Sequence, residues 1–347
     1  MTQIVRLAVA GAGLIGKRHV DAIRATQGVT LACIVDPTEA ARTFAQEQGV
    51  EWFPSLREMF STCKIDGVIL GTPNQIHLEG ALECIAKSCP VLVEKPICST
   101  VADAEQLVMA AKIASVPILV GHHRRHNALI QKAKSIIDEG TLGTIVSVQG
   151  TCWFHKPDDY FDVEWRRKPG AGPVFINLIH DIDLLHHLCG DVVSVQALDS
   201  NIVRGNEVEE TAAIMLRFTN GALGTVSVSD AAVAPWSWEL TARENPAYPA
   251  TSESCYLIGG THASLSLPNL TLWRHEGSRS WWNPISGTKV PFELEDPLVA
   301  QTRQFASVIR GEQEPAVSGE DGLKALRVVE AVKHSAATGK TVNFSID

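Results

Sequence analysis

The sequence has no Cys-x-x-Cys pair, no Lys/Arg-rich run, no internal repeat, and no apolar stretch of the ~20 residues a membrane helix needs. These absences exclude most alternative classes. Eight cysteines (Cys33, Cys63, Cys84, Cys89, Cys98, Cys152, Cys189, Cys255) are scattered among apolar neighbours. That pattern predicts buried free thiols rather than disulfides or a zinc site. The 30 basic and 39 acidic residues give a net charge of -9, which leaves no electrostatic footprint for a nucleic-acid backbone. Met1-Thr2-Gln3 runs directly into a short apolar segment, without the charged and apolar regions of a signal peptide, so the expected compartment is cytoplasmic. What is present is an ordinary globular composition, 45% hydrophobic over 347 residues, enough for two cored domains.

Up to about Val120, short β-rich runs alternate with helix-length amphipathic stretches: Ile4-Ala10, Thr30-Val35, Gly67-Leu70, Val91-Val93 and Ile118-Val120. Strands alternating with helices predict an α/β Rossmann domain with a doubly wound parallel sheet over residues 1–121. From about Thr144 the runs are longer and alternate: Thr144-Phe154, Val192-Ser200, Thr211-Phe218, Ala222-Ser229 and Ser254-Ile258. Residues 122–347 are therefore expected to form an α+β domain with a large, mostly antiparallel open sheet. Helical segments are expected at Phe175-Leu188, Pro297-Arg310 and Gly319-Thr338, the last two as C-terminal helices that can pack back on the first domain.

Gly11-Ala12-Gly13-Leu14-Ile15-Gly16 follows the first strand and opens a helix running through Arg24. The first glycine permits the tight turn, the second lets backbone approach a pyrophosphate, and the third lets helix pack on strand. Asp36 ends the second strand, where a carboxylate accepts from ribose hydroxyls and repels a 2′-phosphate; NAD is therefore expected over NADP. Arg42 could reach a 2′-phosphate, or simply be a solvated helix residue. Thr72, Pro73, Asn74 and His77 follow a later strand and are placed to line the cofactor crevice, with capping of the next helix as an alternative for Asn74. His123 sits where the chain leaves the parallel sheet, a position that can face the nicotinamide.

Glu94-Lys95-Pro96 places two opposite charges at the end of an apolar strand, where unpaired charge is costly. The glycine turn, Asp36, the Thr72-Pro73-Asn74 loop, Glu94-Lys95-Pro96, Val120-Gly121-His122-His123-Arg124-Arg125 and Leu142-Gly143 occur in an order that resembles the Gfo/Idh/MocA family of glucose-fructose oxidoreductases and inositol dehydrogenases. The resemblance implies that Lys95 contacts substrate and assists catalysis, that Pro96 is cis, and that this whole segment borders the cofactor. It also places a catalytic histidine at His180. The family's usual aspartate, four residues earlier, is replaced by Ile176. Asn177 lies near His180 on the helix face, but an amide is no general base, so His180 is expected to move the proton while Lys95 polarises the reacting oxygen. Asp183 can orient His180 from the next turn or serve only as a structural carboxylate.

The irregular stretch from Trp153 to Gly172 mixes aromatic and charged residues, as in a loop shaping a polar pocket. Its substrate candidates are Trp153, His155 and Tyr160, together with Lys95, Asn177 and His180; Trp165 and Arg166 are cofactor candidates. His180, Asp183 and His187 share a helix face, and His122, His123 and His126 cluster, but neither set has the spacing of a zinc site and no metal is expected. Arg124 and Arg125 read as interdomain ion-pairing groups. The resemblance implies a dehydrogenase acting on a secondary alcohol of a sugar, cyclitol or related polyhydroxy compound, assembled as a homodimer or homotetramer through the open face of the C-terminal sheet. The change at Ile176 keeps a carbocyclic or aromatic-derived diol or a semialdehyde in view, and a non-enzymatic NAD-binding regulator is the reading from a different class.

Overall fold

The short apolar runs of the N-terminal region pair into one parallel sheet, in a computed structural model that describes residues 3–344. In chain order the elements are β1 Val5–Ala10, α1 Leu14–Ala25, β2 Val29–Val35, α2 Glu39–Gln48, β3 Glu51–Phe53, α3 Leu56–Thr62, β4 Gly67–Leu70, α4 His77–Ala86, β5 Val91–Val93, α5 Val101–Ala114 and β6 Ile118–Val120. The strand order β3-β2-β1-β4-β5-β6, all parallel, is that of a Rossmann sheet reversing direction between β1 and β4. Leu7, Val9, Ile34, Ile69, Leu92 and Leu119 are buried between the helix layers, each stabilising the fold by roughly 1.5–3 kcal/mol. Side chains of Thr38, Ser55 and Thr100 cap α2, α3 and α5 by accepting from backbone N–H groups. The N-terminus of α1 has no such cap. Its donors are left for something else.

The chain divides into two units. The first runs to Asn127 rather than Gly121 and also takes in Glu295–Leu326, whose Phe305 and Ala306 join the core around β1, β2 and β4. The second comprises Ala128–Leu294 and the chain from Arg327 onward. It begins with α6 Ala128–Asp138 and contains β7 Ile145–Trp153, α7 Ile179–Cys189, β8 Val192–Ser200, β9 Thr211–Phe218, β10 Leu223–Ser229, α8 Trp238–Thr241, β11 Tyr256–Gly260, β12 Ala263–Leu267, β13 Thr271–Arg274 and β14 Ser286–Lys289. Helices α9 Pro297–Ile309 and α10 Gly319–Thr338 follow, then β15 Val342–Asn343. The nine strands run β14-β13-β12-β11-β7-β10-β9-β8-β15, antiparallel except for β7 beside β10.

In β9 alternation is strict: Ala212, Ile214, Leu216 and Phe218 face the core while Met215 is exposed. Val146, Leu198, Leu223 and Leu257 are exposed too, so one face of the sheet presents apolar side chains to solvent. Beneath the other face, the buried Tyr256 hydroxyl donates to Asp181 Oδ1 on α7. All eight cysteines are free and seven are buried; burial pushes the Cys89, Cys98 and Cys189 thiols up to about 12. Strands β3 and β12–β14 were not expected from sequence. The expected helix at Phe175-Leu188 instead opens with a π turn, Val174–Leu178, ahead of α7. That inserts a residue into the helical phase just before His180.

Candidate active site

The glycine turn is fixed by contacts that admit no side chain. At Gly11, where φ is +91°, a Cβ would stand 2.5 Å from the Gly71 carbonyl oxygen, and at Gly16 a Cβ would stand 1.8 Å from the Gly11 oxygen. These positions lock β1, α1 and the end of β4 together. At Gly13 nothing lies within 4 Å of the equivalent point, and Leu14 beside it is exposed. An uncapped helix start next to open space is a fit for an anionic pyrophosphate. Ile15 is half-buried behind it.

Asp36 sits at the end of β2 with its carboxylate already oriented. Oδ2 accepts from the Ala12 N–H at 2.9 Å, and Oδ1 accepts from the Thr38 N–H at 2.9 Å and its hydroxyl at 2.6 Å. Burial alone would raise this carboxyl, but the three donors outweigh it and hold it below the usual range. Oδ2 keeps a lone pair for a further donor such as a ribose hydroxyl. Arg42 instead stacks on Trp52 at 5.5 Å and pairs with Glu39 at 3.7 Å.

The loops after β4 and β5 are tied to each other through one ring. His77 is buried, with Nδ1 2.9 Å from the Pro96 carbonyl oxygen and Nε2 2.9 Å from that of Thr72. His77 thus stands between the two loops, and a neutral ring, with a single N–H, donates to one of these carbonyls at a time. Thr72 Oγ1 is buried without a hydrogen-bond partner, a donor kept available in the loop, while Pro73 and Asn74 stay at least partly accessible. Asn74 opens a short 3₁₀ turn and provides no side-chain cap to α4.

The Lys95–Pro96 peptide is cis, the form the resemblance implies. Glu94 is buried, and its carboxylate is held by protein groups: Oε1 lies 2.7 Å from His19 Nε2 and Oε2 accepts the Lys95 N–H at 3.1 Å. These contacts anchor the lysine loop to α1. Gly121 is required here, because a Cβ would stand 2.7 Å from the carboxyl carbon. Burial pushes Glu94 up, yet the His19 hydrogen bond, with the charges of His19, His123 and Lys95, holds it down at about 2. A carboxyl depressed on folding adds stability above the ordinary carboxylate range and loses it as pH falls through the folded value. Urea midpoints of the wild type should therefore fall more steeply than those of Glu94→Gln as pH drops from that range towards about 2; parallel slopes would remove this role. His123 lies beside the Glu94 carboxylate, at the exit of β6.

Arg125 forms an ion pair within the first unit, to Asp321 at 3.3 Å, and donates to the Ala316 carbonyl.

In the second unit the candidates gather around β7 and the π turn. His180 and Asp183 are buried on α7, so Asp183 is no surface carboxylate. Asn177 Oδ1 accepts from Lys156 Nζ at 2.9 Å, and Lys156 also pairs with the buried Asp230 at 3.1 Å. Lysine has only donors, so this bond fixes the Asn177 amide with its NH₂ group turned away. Tyr160 lies 5.0 Å from Lys156 Nζ and 4.1 Å from the Arg166 guanidinium, and Arg166 donates to the Tyr160 carbonyl. Burial raises the Tyr160 hydroxyl. Trp153 packs edge-on against Trp236 with its Nε1 buried and unpartnered; His155 and Trp165 are exposed. Arg204 completes the cluster, 2.7 Å from Asp230 and stacked on Phe161 at 4.4 Å.

Sequence reasoning missed His19, Thr38, Lys156 and Asp230, and named Gly121 only as part of the segment Val120–Arg125 without its contact to Glu94. Thr38, two residues after Asp36, and His19, three after Gly16, were available as sequence signals. Lys156 lay inside the aromatic stretch already singled out, whereas nothing in the sequence linked it to Asp230.

Comparison with known proteins follows this division. Residues 5–122 match the oxidoreductase family NAD-binding Rossmann fold, and residues 130–266 match the GFO/IDH/MocA C-terminal domain. The chain is 26% identical to 1,5-anhydro-D-fructose reductase of Ensifer adhaerens and 25% identical to myo-inositol 2-dehydrogenase of Thermotoga maritima, in each case over 98% of both proteins. Among solved structures it resembles the WlbA dehydrogenase of Bordetella pertussis in complex with NADH and UDP-GlcNAcA, at 26% identity and a TM-score of 0.79, covering 99% of this chain and 100% of that one.

Proposed function

The chain belongs to the Gfo/Idh/MocA family of oxidoreductases with an NAD-binding Rossmann domain, and from that premise we propose that it is an NAD-dependent dehydrogenase of a sugar, cyclitol or related polyhydroxy secondary alcohol. The observation that carries this reading is the Glu94-Lys95-cis-Pro96 loop at the end of β5, in the same sheet as the glycine turn and the oriented Asp36. The names of the relatives support the alcohol class.

Gly11, Gly13 and Gly16 with the open start of α1 would hold the pyrophosphate, Asp36 the ribose, and the Thr72–Asn74 loop the neighbouring part of the cofactor. Bound nicotinamide supplies the hydride acceptor. Lys95 donates to the reacting oxygen and stabilises negative charge as the hydroxyl proton leaves. His180 receives that proton. Trp153, Tyr160, Trp165 and Arg166 shape the polar pocket, and Asn177 contributes a fixed NH₂ donor to it. The protein acts in the cytoplasm on a small molecule, and copies associate through the apolar open face of the nine-stranded sheet. No helix among the described residues is long and apolar enough to cross a membrane.

Reduction of NAD and of NADP across a polyol panel tests the reading. The wild type should reduce NAD with at least one polyol and favour it over NADP; tight cofactor binding without reduction by any polyol would leave a regulator. Asp36→Ser should move the NADP:NAD ratio of kcat/KM upward by about 10-fold or more, equivalent to ~1.4 kcal/mol, because the carboxylate no longer opposes a 2′-phosphate. Equal use of both cofactors by the wild type would overturn the Asp36 assignment.

A further inference from the structure

We propose that His19 and Glu94 form a positioning pair for Lys95, tying the lysine loop to the cofactor-binding helix α1 and setting a fixed negative charge beside the ammonium. The inference rests on the role given to Lys95 above. Glu94 directly precedes Lys95, and one of its oxygens closes on the Lys95 N–H at 3.1 Å while the other meets His19 Nε2 at 2.7 Å. The carboxylate therefore spans from α1 to the end of β5, with Gly121 leaving the room it occupies.

His19 is fully buried, and its Nδ1 has no hydrogen-bond partner, so the polar contact of the ring is the 2.7 Å bond between Nε2 and Glu94. A donor held in that place fixes the carboxylate between α1 and the lysine loop. The titratable and charged groups facing that carboxylate are His19 from α1, His77 from α4, His123 after β6 and Lys95 itself. Burial keeps His77 low, and the Glu94 carboxylate, fixed on one side by His19, sets its negative charge beside Lys95 and His123. A lysine beside such a charge stays an ammonium, the form that can donate to a developing alkoxide.

The test is trace acetylation of the cofactor-free protein with acetic anhydride over a pH series, with Lys95 reactivity read by peptide mass spectrometry. It needs no substrate, so failure of the proposed alcohol chemistry and failure of this inference are separable. Glu94→Gln keeps the shape and removes the charge, so the midpoint of Lys95 reactivity should fall by about 1–3 pH units. His19→Leu should lower the midpoint in the same direction and lower kcat more than it weakens NAD binding. His19→Gln, which can still donate to the carboxylate, should restore both. An unchanged midpoint in Glu94→Gln would overturn the proposal, and so would wild-type kcat in a folded His19→Leu protein. If His19→Leu does not fold, the Glu94→Gln midpoint decides alone.

Discussion

Replacing Lys95 with alanine should lower kcat by about 10²–10³-fold while the dissociation constant for NAD changes little. The magnitude is that expected for deleting one preorganised donor aimed at a developing oxyanion. The selectivity follows from placement: Lys95 stands at the end of β5, whereas the pyrophosphate seat is the turn between β1 and α1. Interactions made only in the transition state appear in kcat rather than in ground-state binding. Steady-state kinetics with a fluorescence titration of cofactor separates the two. A large rise in the NAD dissociation constant with unchanged turnover would assign Lys95 to cofactor binding instead.

A comparable loss should follow at His180. Removing a general acid/base typically costs about 10²–10⁴-fold, so His180→Ala should lower kcat on that scale, and His180→Asn should retain binding better than rate. The rate of alcohol oxidation by the wild type should rise with pH through one ionisation that both variants lack, because the base must be neutral to accept the hydroxyl proton. Its burial and the π turn immediately before it set the position of this imidazole on α7. Near-normal turnover with an unaltered pH profile would transfer the proton to Lys95 or to a side chain of the Trp153–Arg166 segment.

The parallel sheet was legible because its strands are buried on both faces and read as nearly continuous apolar runs. The three glycines were legible because they crowd one strand-to-helix turn, and Asp36 because it ends the next strand, twenty residues after Gly16. Strand β3 escaped because three residues, Glu51–Phe53, are too few to show a period, β12 because its alternation, Ala263–Leu267, lasts only five residues, and β13 and β14 because they are four residues each and β14 carries no apolar alternation. The π turn left no sequence signal, since an inserted residue changes phase without changing composition. What the sequence did not show is any partner distant along the chain. Glu94 and His77 were read as cofactor groups by position alone, and their contacts with His19, Thr72 and Pro96 appear only in the fold. Lys156 was overlooked among more conspicuous aromatic neighbours because its pairing with Asp230 and Asn177 spans three elements.

The central claim is that this chain moves hydride from an alcohol carbon to NAD. It is tested most directly with a polyol deuterated at its carbinol carbons, incubated with wild-type protein and NAD, followed by mass analysis of the nicotinamide product. The account predicts reduced NAD carrying the deuteron, with slower formation than from the unlabelled polyol. Reduced NAD without the label, or bound NAD left unreduced by every polyol tried, would contradict it.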